Sequence, residues 1–324
     1  MRLIVIDNLV SIFKQIRFGC FFIFIFADFF RVSAREISFF TFNAGLMKIY
    51  GHDLVPCVDE RESEQPKLVF DQLNSAKSKH SAVIAVFQEV GTLGGFEKYS
   101  EQANLHGYHI YPEKYERLKS NGLLTVSSHP LLTSRLFEFE HDVSNRGIIE
   151  HLVEINGVRI RILNTHTEYS GIEAMSRNHF HQLAKINDFL RARQLHGLTI
   201  LGGDFNTGPE LAQNITFHSK LWREALLRSL GHIKQLKLEN QGFSWDYEKN
   251  TLINQPARII RLIYSEQQGW ENYSANLDHI FASNAFSEVS TELVFNNPVR
   301  NLKCDGRELV YPSDHFGLNT VLRF

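Results

Sequence analysis

The sequence predicts an α/β protein in which packed β-sheets are covered by helices. Two observations predict it. Runs rich in β-branched and aromatic residues recur along the chain, separated by segments with helical apolar spacing. Hairpin signals stand among the strand–helix–strand units, so antiparallel pairs are mixed into the sheets. The chain has 324 residues, 43% of them hydrophobic, which is ample material for a buried core. A charged fraction of 22% and only 8 prolines exclude a disordered or fibrous chain. Three cysteines exclude a disulfide framework and a multi-cysteine zinc module. With 34 basic and 36 acidic residues, the net charge of −2 gives no global case for nucleic-acid binding, although a local basic groove is compatible with it.

The first element is apolar. Phe18–Phe30 reads FGCFFIFIFADFF, preceded by Lys14 and Arg17 and followed by Val32-Ser33-Ala34. A basic start, a short apolar core and small residues at the −3 and −1 positions form a secretory signal pattern, with cleavage after Ala34. The run is too short for the ~20 residues that span a bilayer, and Asp28 interrupts it. The alternatives are a buried element of the mature fold and a retained membrane anchor. The chain therefore divides into 1–34, a signal or hydrophobic segment, and 35–324, one domain. Cleavage would remove Arg2, Lys14, Arg17, Arg31, Asp7 and Asp28, leaving 30 basic and 34 acidic residues, a formal −4. It would also remove Cys20. Export then permits a disulfide between Cys57 and Cys304, which the sequence alone leaves open.

The remaining elements follow in order. Ile37–Asn43 and Ser81–Val90 read as buried strands. Between them, Leu68, Val69, Leu73 and Ala76 give Lys67–Ser78 a helical face. Gly147–Glu154 and Arg159–Asn164 pair as a hairpin around the Asn156-Gly157 turn signal. His181–Ala192 sets Leu183, Ile186, Phe189 and Leu190 on one helical face. Leu198–Gly202, Leu277–Ala282 and Leu318–Phe324 complete the strands. No internal repeat, low-complexity tract or linker-like run interrupts 35–324.

Polar residues collect at the ends of these strands. Asn43 ends the first, and Gln88-Glu89 the second. Asn164-Thr165-His166 ends another, and Gly203-Asp204-Phe205-Asn206 follows the apolar run LTIL. Asp278-His279 opens a strand, and Ser313-Asp314-His315 precedes the last. Singly, each has an ordinary explanation, such as an Asx turn at Asp204 or a hydrogen-bonded core histidine at His166. Six such sites at equivalent strand ends point instead to one rim. Carboxylates and amides without cysteine are the donor set that Mg²⁺ prefers. Two histidines near neutral pH can serve the attacking water and the leaving group of a phosphoryl transfer, with the metal stabilising transition-state charge.

At these residues, in order from Asn43 to His315, the sequence resembles the endonuclease/exonuclease/phosphatase superfamily. The resemblance implies a DNase I-like four-layer α/β/β/α sandwich with its site at the open edge of two sheets. It implies Glu89 as the principal Mg²⁺ ligand (Mn²⁺ being an alternative), Asn43 as an accessory ligand and Asp314 as a metal-proximal carboxylate. His166 would contact the scissile phosphate and protonate the leaving oxygen. Asp204 and Asn206 would orient the water and bind phosphate or a second metal. His315 resembles the general base and Asp278 the carboxylate that fixes its tautomer. Whether Asp204 or His315 takes the proton stays open, with His315 preferred.

Within the superfamily the sequence is most similar to bacterial and neutral sphingomyelinases. The 46-residue separation of Asn43 from Glu89 leaves room for the insertion GHDLVPCVDERESEQ, and His166-Thr167-Glu168-Tyr169 resembles their stretch after this histidine. The expected substrate is thus a phospholipid or other phosphodiester, met by a secreted or periplasmic monomer in peripheral contact with a membrane. Against this, Asn284–Pro312 has Phe286, Phe295 and Tyr311 but no tryptophan pair for a docking hairpin. Trp245, Tyr247, Trp270 and Tyr273 cluster instead, as core packing or as an interfacial belt. The rival is a nuclease. Its basic groove would have to come from Lys114, Arg117, Lys119, Arg258, Arg261, Arg300 and Lys303, which do not exceed ordinary surface density. A non-catalytic binding module would have lost a site residue, and none is missing.

Overall fold

The computed structural model describes residues 35–115, 122–139, 146–168, 173–192, 197–208, 233–236, 242–254, 273–300, 302, 304 and 310–324. The hydrophobic segment 1–34, Tyr169, Trp270 and the basic residues Arg117, Lys119, Arg258, Arg261 and Lys303 lie outside them. No helix among the described residues is long and apolar enough to cross a membrane.

The chain begins with β1 (Glu36–Leu46), a small ribbon β2 (Lys48–Ile49) and β3 (His52–Asp53), then α1 (Val58–Lys77), β4 (Ala82–Val90) and α2 (Leu93–Leu105). There follow β5 (His109–Tyr111), β6 (Leu124–Ser127), β7 (Leu131–Glu138), β8 (Gly147–Ile155), β9 (Val158–His166) and α3 (Glu173–Arg191). The last elements are β10 (Leu198–Asp204), β11 (Ile233–Gln235), the single turn α4 (Thr251–Asn254), β12 (Asp278–Ser283), β13 (Ser287–Val294) and β14 (Gly317–Arg323). They build two sheets, ordered β13-β14-β1-β4-β6-β5 and β11-β12-β10-β9-β8-β7. Only β1–β4 and β9–β10 pair in parallel among these neighbours; the rest are antiparallel.

The two-residue period of a strand explains the layering. Along β1, Ile37 and Phe39 join Ile84 and Val86 of β4 against Ile160, Ile162, Ile200 and Ile280 of the other sheet. The intervening Phe40 and Phe42 face outward onto Val69, Phe70 and Leu73 of α1 and Phe96 and Tyr99 of α2. On the far side, Leu163, Leu201 and Phe281 pack on Leu183, Ile186 and Leu190 of α3. The result is the four-layer α/β/β/α sandwich. Strands covered on both faces lose polar alternation, which is why β1 and β4 read as continuous apolar runs. Gly202 packs closely against the other sheet: a Cβ there would sit 2.6 Å from Phe39 Cε1.

The strand expectations hold to within a few residues, and Asn156 and Gly157 both take the positive φ of the hairpin turn. Two differences matter. Helix α1 begins at Val58, so its first half occupies the stretch read as an insertion. Its inward face continues through Arg61 and Gln65, both buried, so the apolar periodicity is lost there; Pro66 within the helix obscures it further. Cys57 and Cys304 form a disulfide, with Cα atoms 5.6 Å apart, inside a small cluster with Val55, Leu252, Leu302 and Val310. The aromatic group also resolves in part. Trp245 is buried, and with Ile253, Ala275 and Leu277 it forms a satellite core flanked by Tyr247 and Tyr273. Phe286 and Phe295 are buried as well.

Candidate active site

Sheet register brings the strand-end residues together. Asn43 on β1 lies beside Gln88 on β4. On the second sheet, Asp204 of β10 is flanked by His166 of β9 and Asp278 of β12. Two polar bridges fasten the sheets just below this rim. Asn43 Nδ2 donates to Asp204 Oδ2 at 2.9 Å, and Gln88 Nε2 donates to Asn164 Oδ1 at 2.9 Å. Asn164 Nδ2 donates in turn to the carbonyls of Phe87 and Leu124, at 3.1 and 3.0 Å. Both amides are fully buried. Gln88 and Asn164, part of the motifs but without a role in the sequence reading, are therefore the fasteners that place Glu89 and His166.

Asp204 is the hub. Its Oδ1 accepts from Asn206 N at 2.8 Å, and its Oδ2 lies 3.3 Å from His166 Nε2 and 3.8 Å from His315 Nε2. Burial works to protonate it, but His315 and His166 outweigh that and hold its pKa well below the usual carboxylate range. The Asn206 amide donates to Thr167 O at 2.9 Å and lies 3.1 Å from His166 Nε2. The guanidinium of Arg146, just ahead of β8, meets His166 Nδ1. A guanidinium only donates, so Nδ1 is the acceptor toward Arg146, while Nε2 faces both the Asp204 carboxylate and the Asn206 amide. Burial, reinforced by Arg146, presses the His166 pKa down to about 4. Arg146 escaped the sequence reading, which weighed acids, amides and imidazoles at strand ends but no guanidinium.

His315 and Asp278 form a second unit. Nδ1 of His315 lies 2.8 Å from Asp278 Oδ2. Ser244 Oγ accepts from the backbone N–H groups of Leu277 and Asp278 at 3.0 and 3.1 Å, and the Trp245 ring meets the imidazole edge-on with centroids 5.0 Å apart. Asn250 Nδ2 donates to the carbonyls of Ser313 and Asp314. Burial opposes charge on His315, yet Asp278, Asp204 and Asp314 prevail and raise its pKa to about 10.

Glu89 takes a left-handed backbone, φ 57°, one of few non-glycine residues to do so. Such a conformation costs on the order of 1–3 kcal/mol and concentrates at functional sites. Burial, then the nearby charge of Asp314, pushes the Glu89 pKa up to about 7. Its Oε1 stands 3.8 Å from His166 Nε2. Asp314 Oδ1 accepts from Ser313 Oγ at 3.0 Å. Gly45 closes against it: a Cβ there would lie 2.7 Å from Asp314 Oδ1, and the backbone is left-handed at φ +59°.

Two donor sets could hold a divalent cation. Ligand atoms of Asp204, Asp278 and His315 lie within 4.8 Å of one another, but their imidazole is engaged with Asp278 and nitrogen suits Mg²⁺ poorly. Glu89 and Asp314 offer oxygens alone, and the Asp314 charge works against ionised Glu89, a conflict that a cation relieves. The Asn43 amide oxygen, which accepts from Gly45 N at 3.0 Å, can serve only as an accessory. The residues present fit a hard divalent ion. All eight residues expected at the site from the sequence lie on this rim.

A four-layer sandwich carrying acids, amides and imidazoles on one shared rim defines the DNase I-like class. Within it, the chain belongs to the endonuclease/exonuclease/phosphatase family, whose model matches residues 53–315. No curated protein matches the chain significantly in sequence. Among solved structures, sphingomyelinase C from Streptomyces griseocarneus is 16% identical with a TM-score of 0.61, covering 88% of this chain and 99% of that one. A mutant of beta toxin from Staphylococcus aureus with bound magnesium ions is 17% identical, TM-score 0.61, covering 87% and 98%. TDP2 from D. rerio, complexed with a single-strand DNA product, is 13% identical, TM-score 0.62, covering 89% and 99%. At these identities the likeness concerns the fold.

Proposed function

We propose that this chain is a divalent-metal-dependent phosphodiesterase of the sphingomyelinase, or phospholipase C, type. The observation that carries the reading is the meeting of two aspartate-held imidazoles, His166 and His315, with the all-oxygen pair Glu89 and Asp314 on one rim. Hydrolysing a phosphodiester requires a water to lose a proton, phosphoryl charge to be neutralised and an alcohol to depart. Glu89 and Asp314, with Asn43 as accessory, would hold Mg²⁺ or Mn²⁺, which when bound would supply positive charge to a phosphoryl oxygen and offset the carboxylate field on His315.

The chain's own groups do the rest. Asp204, fixed by Asn43, His166 and the Asn206 N–H, orients the attacking water. His315 takes the water's proton from its neutral form, and Asp278 steadies the imidazolium so formed. The Asn206 amide and His166 Nε2–H bind phosphoryl oxygens. His166 donates a hydrogen bond to the leaving oxygen, which takes its proton from solvent as the alcohol departs. Export to an oxidising compartment, as a secreted or periplasmic monomer, is supported by the buried Cys57–Cys304 disulfide and by the signal pattern in 1–34; a membrane-anchored form is the alternative. Contact with a lipid surface is supported by exposed Tyr50 and Leu93, on the segments that leave β1 and β4 at this rim.

The test is a substrate panel on one preparation: choline phospholipid vesicles, plasmid DNA and single-stranded DNA, each with Mg²⁺ and with chelator. Lipid cleavage that the chelator abolishes is expected. Cleavage of DNA but not lipid would overturn the lipid assignment in favour of a nuclease, and cleavage indifferent to chelator would overturn the metal. His315→Ala and Asp204→Ala should each abolish turnover with the fold intact.

A further inference from the structure

We propose that Arg61 and Gln65 of α1 are positioning residues that hold the Asn43 and Asp314 sides of the metal pocket at a fixed separation, an inference that rests on the metal-dependent reading above. Arg61 is fully buried. Its Nε donates to Pro56 O at 3.0 Å, one terminal nitrogen to Ala44 O and Pro312 O at 3.1 and 3.2 Å, and the other to Gly45 O and Val55 O at 2.6 and 3.4 Å. All five donors of the guanidinium are thereby spent on backbone carbonyls. Gln65, one turn further on, donates again to Ala44 O at 2.7 Å and Pro312 O at 2.6 Å, and its oxygen accepts from Tyr99 Oη at 3.0 Å.

The segments tied this way matter to the site. Ala44 follows Asn43, and Pro312 stands two residues before Asp314. The two segments are far apart in sequence and come together here, where a Cβ on Gly45 would lie 2.7 Å from Asp314 Oδ1. A buried cation that only filled space could be replaced by an apolar side chain of similar volume. This one is wired to carbonyls that nothing apolar could satisfy. No carboxylate neutralises it by a direct hydrogen bond in this network. Its charge therefore acts across space on Asp314, Asp53 and Glu89, which oppose the burial that presses its own pKa down to about 10. The fork also explains why the insertion between Asn43 and Glu89 is helical: the helix delivers both side chains to the rim from one face.

The test measures Mn²⁺ binding to the full oxidised chain by electron paramagnetic resonance, beside cleavage of bis(p-nitrophenyl) phosphate over a range of Mg²⁺. The variants are Arg61→Lys, Gln65→Leu and, as a control for loosening of α1 alone, Leu73→Ala, each verified as folded by circular dichroism. Arg61→Lys keeps the charge but loses the planar fork, so it should not rescue. Removing a partner that orients metal ligands weakens metal binding by roughly 10- to 100-fold, and that loss is expected for Arg61→Lys, with a smaller one for Gln65→Leu and none for Leu73→Ala. If Arg61→Lys does not fold, Gln65→Leu decides. Wild-type Mn²⁺ affinity in the folded fork variants, or an equal loss in Leu73→Ala, would overturn the proposal while leaving the function standing. A wild-type chain that binds no Mn²⁺ would overturn both.

Discussion

Removing the Cys57–Cys304 disulfide should cost the domain a large part of its stability, and the size follows from its reach. The bond joins residues 247 positions apart. A crosslink of that span lowers the entropy of the unfolded chain by an amount worth about 5 kcal/mol at 25 °C on the loop-closure account. Net stabilities of domains are only about 5–15 kcal/mol, so the loss should be plain in equilibrium unfolding. The perturbation is Cys57→Ala/Cys304→Ala, compared with the oxidised protein in guanidinium titrations followed by both fluorescence and circular dichroism. Alanine leaves a small void in the cluster of Val55, Leu252, Leu302 and Val310, which adds to the loss. The midpoint should fall markedly, and reduced wild-type protein, which keeps both sulfurs in the cluster, should show most but not all of the double variant's loss. A difference below about 1 kcal/mol would refute the loop-closure reasoning for this chain, as would reduced protein that stays as stable as oxidised.

Three further outcomes are expected. Asp278→Asn leaves the 2.8 Å contact to His315 in place but takes away its charge, so turnover should fall by on the order of 10³–10⁴; near-wild-type turnover on a generic phosphodiester would contradict the pairing. Asn164→Leu strands the buried Gln88 amide and the carbonyls of Phe87 and Leu124, and at about 1–3 kcal/mol for each unpaired group it should be strongly destabilised; urea unfolding within 1 kcal/mol of wild type would refute the fastening role. His151 is fully buried with its pKa pressed by burial from 6.5 to about 3. The unfolded chain therefore binds its proton first as pH falls, and stability present above pH 6.5 is lost below it, by about 2 kcal/mol at pH 5 from this group. Unfolding curves at pH 7 and 5 for wild type and His151→Gln check this, and an equal pH slope in both would rule it out.

Much of the candidate site was legible because its residues are delivered by strands whose apolar runs are unmistakable. Asn43, Glu89, His166 and Asp204 each sit where such a run stops, and the positions align in space because β1–β4 and β9–β10 are parallel. The sequence could not reveal which polar groups meet across the two sheets. The Gln88–Asn164 bridge joins residues 76 apart, and nothing local marks them as partners. Arg61 and Gln65 stayed hidden for the opposite reason: they occupy inward positions of a helix where the pattern leads one to look for apolar residues. Short strands such as β5 and β6 carry too few residues for a period, and β7 is largely solvent-facing, so its alternation is weak.

The division of the rim between two sheets makes the domain a caliper. One jaw carries Asn43 and Glu89, the other His166, Asp204 and Asp278, and the apolar layer between the sheets sets the opening. Gly202 is a close contact in that layer, two residues below Asp204, and Phe39 fills the space a side chain there would need. Adding volume at Gly202, or removing it at Phe39, would alter the packing between the jaws without touching any of the rim residues. The geometry of the rim thus depends on residues inside the core that no inspection of the surface would single out.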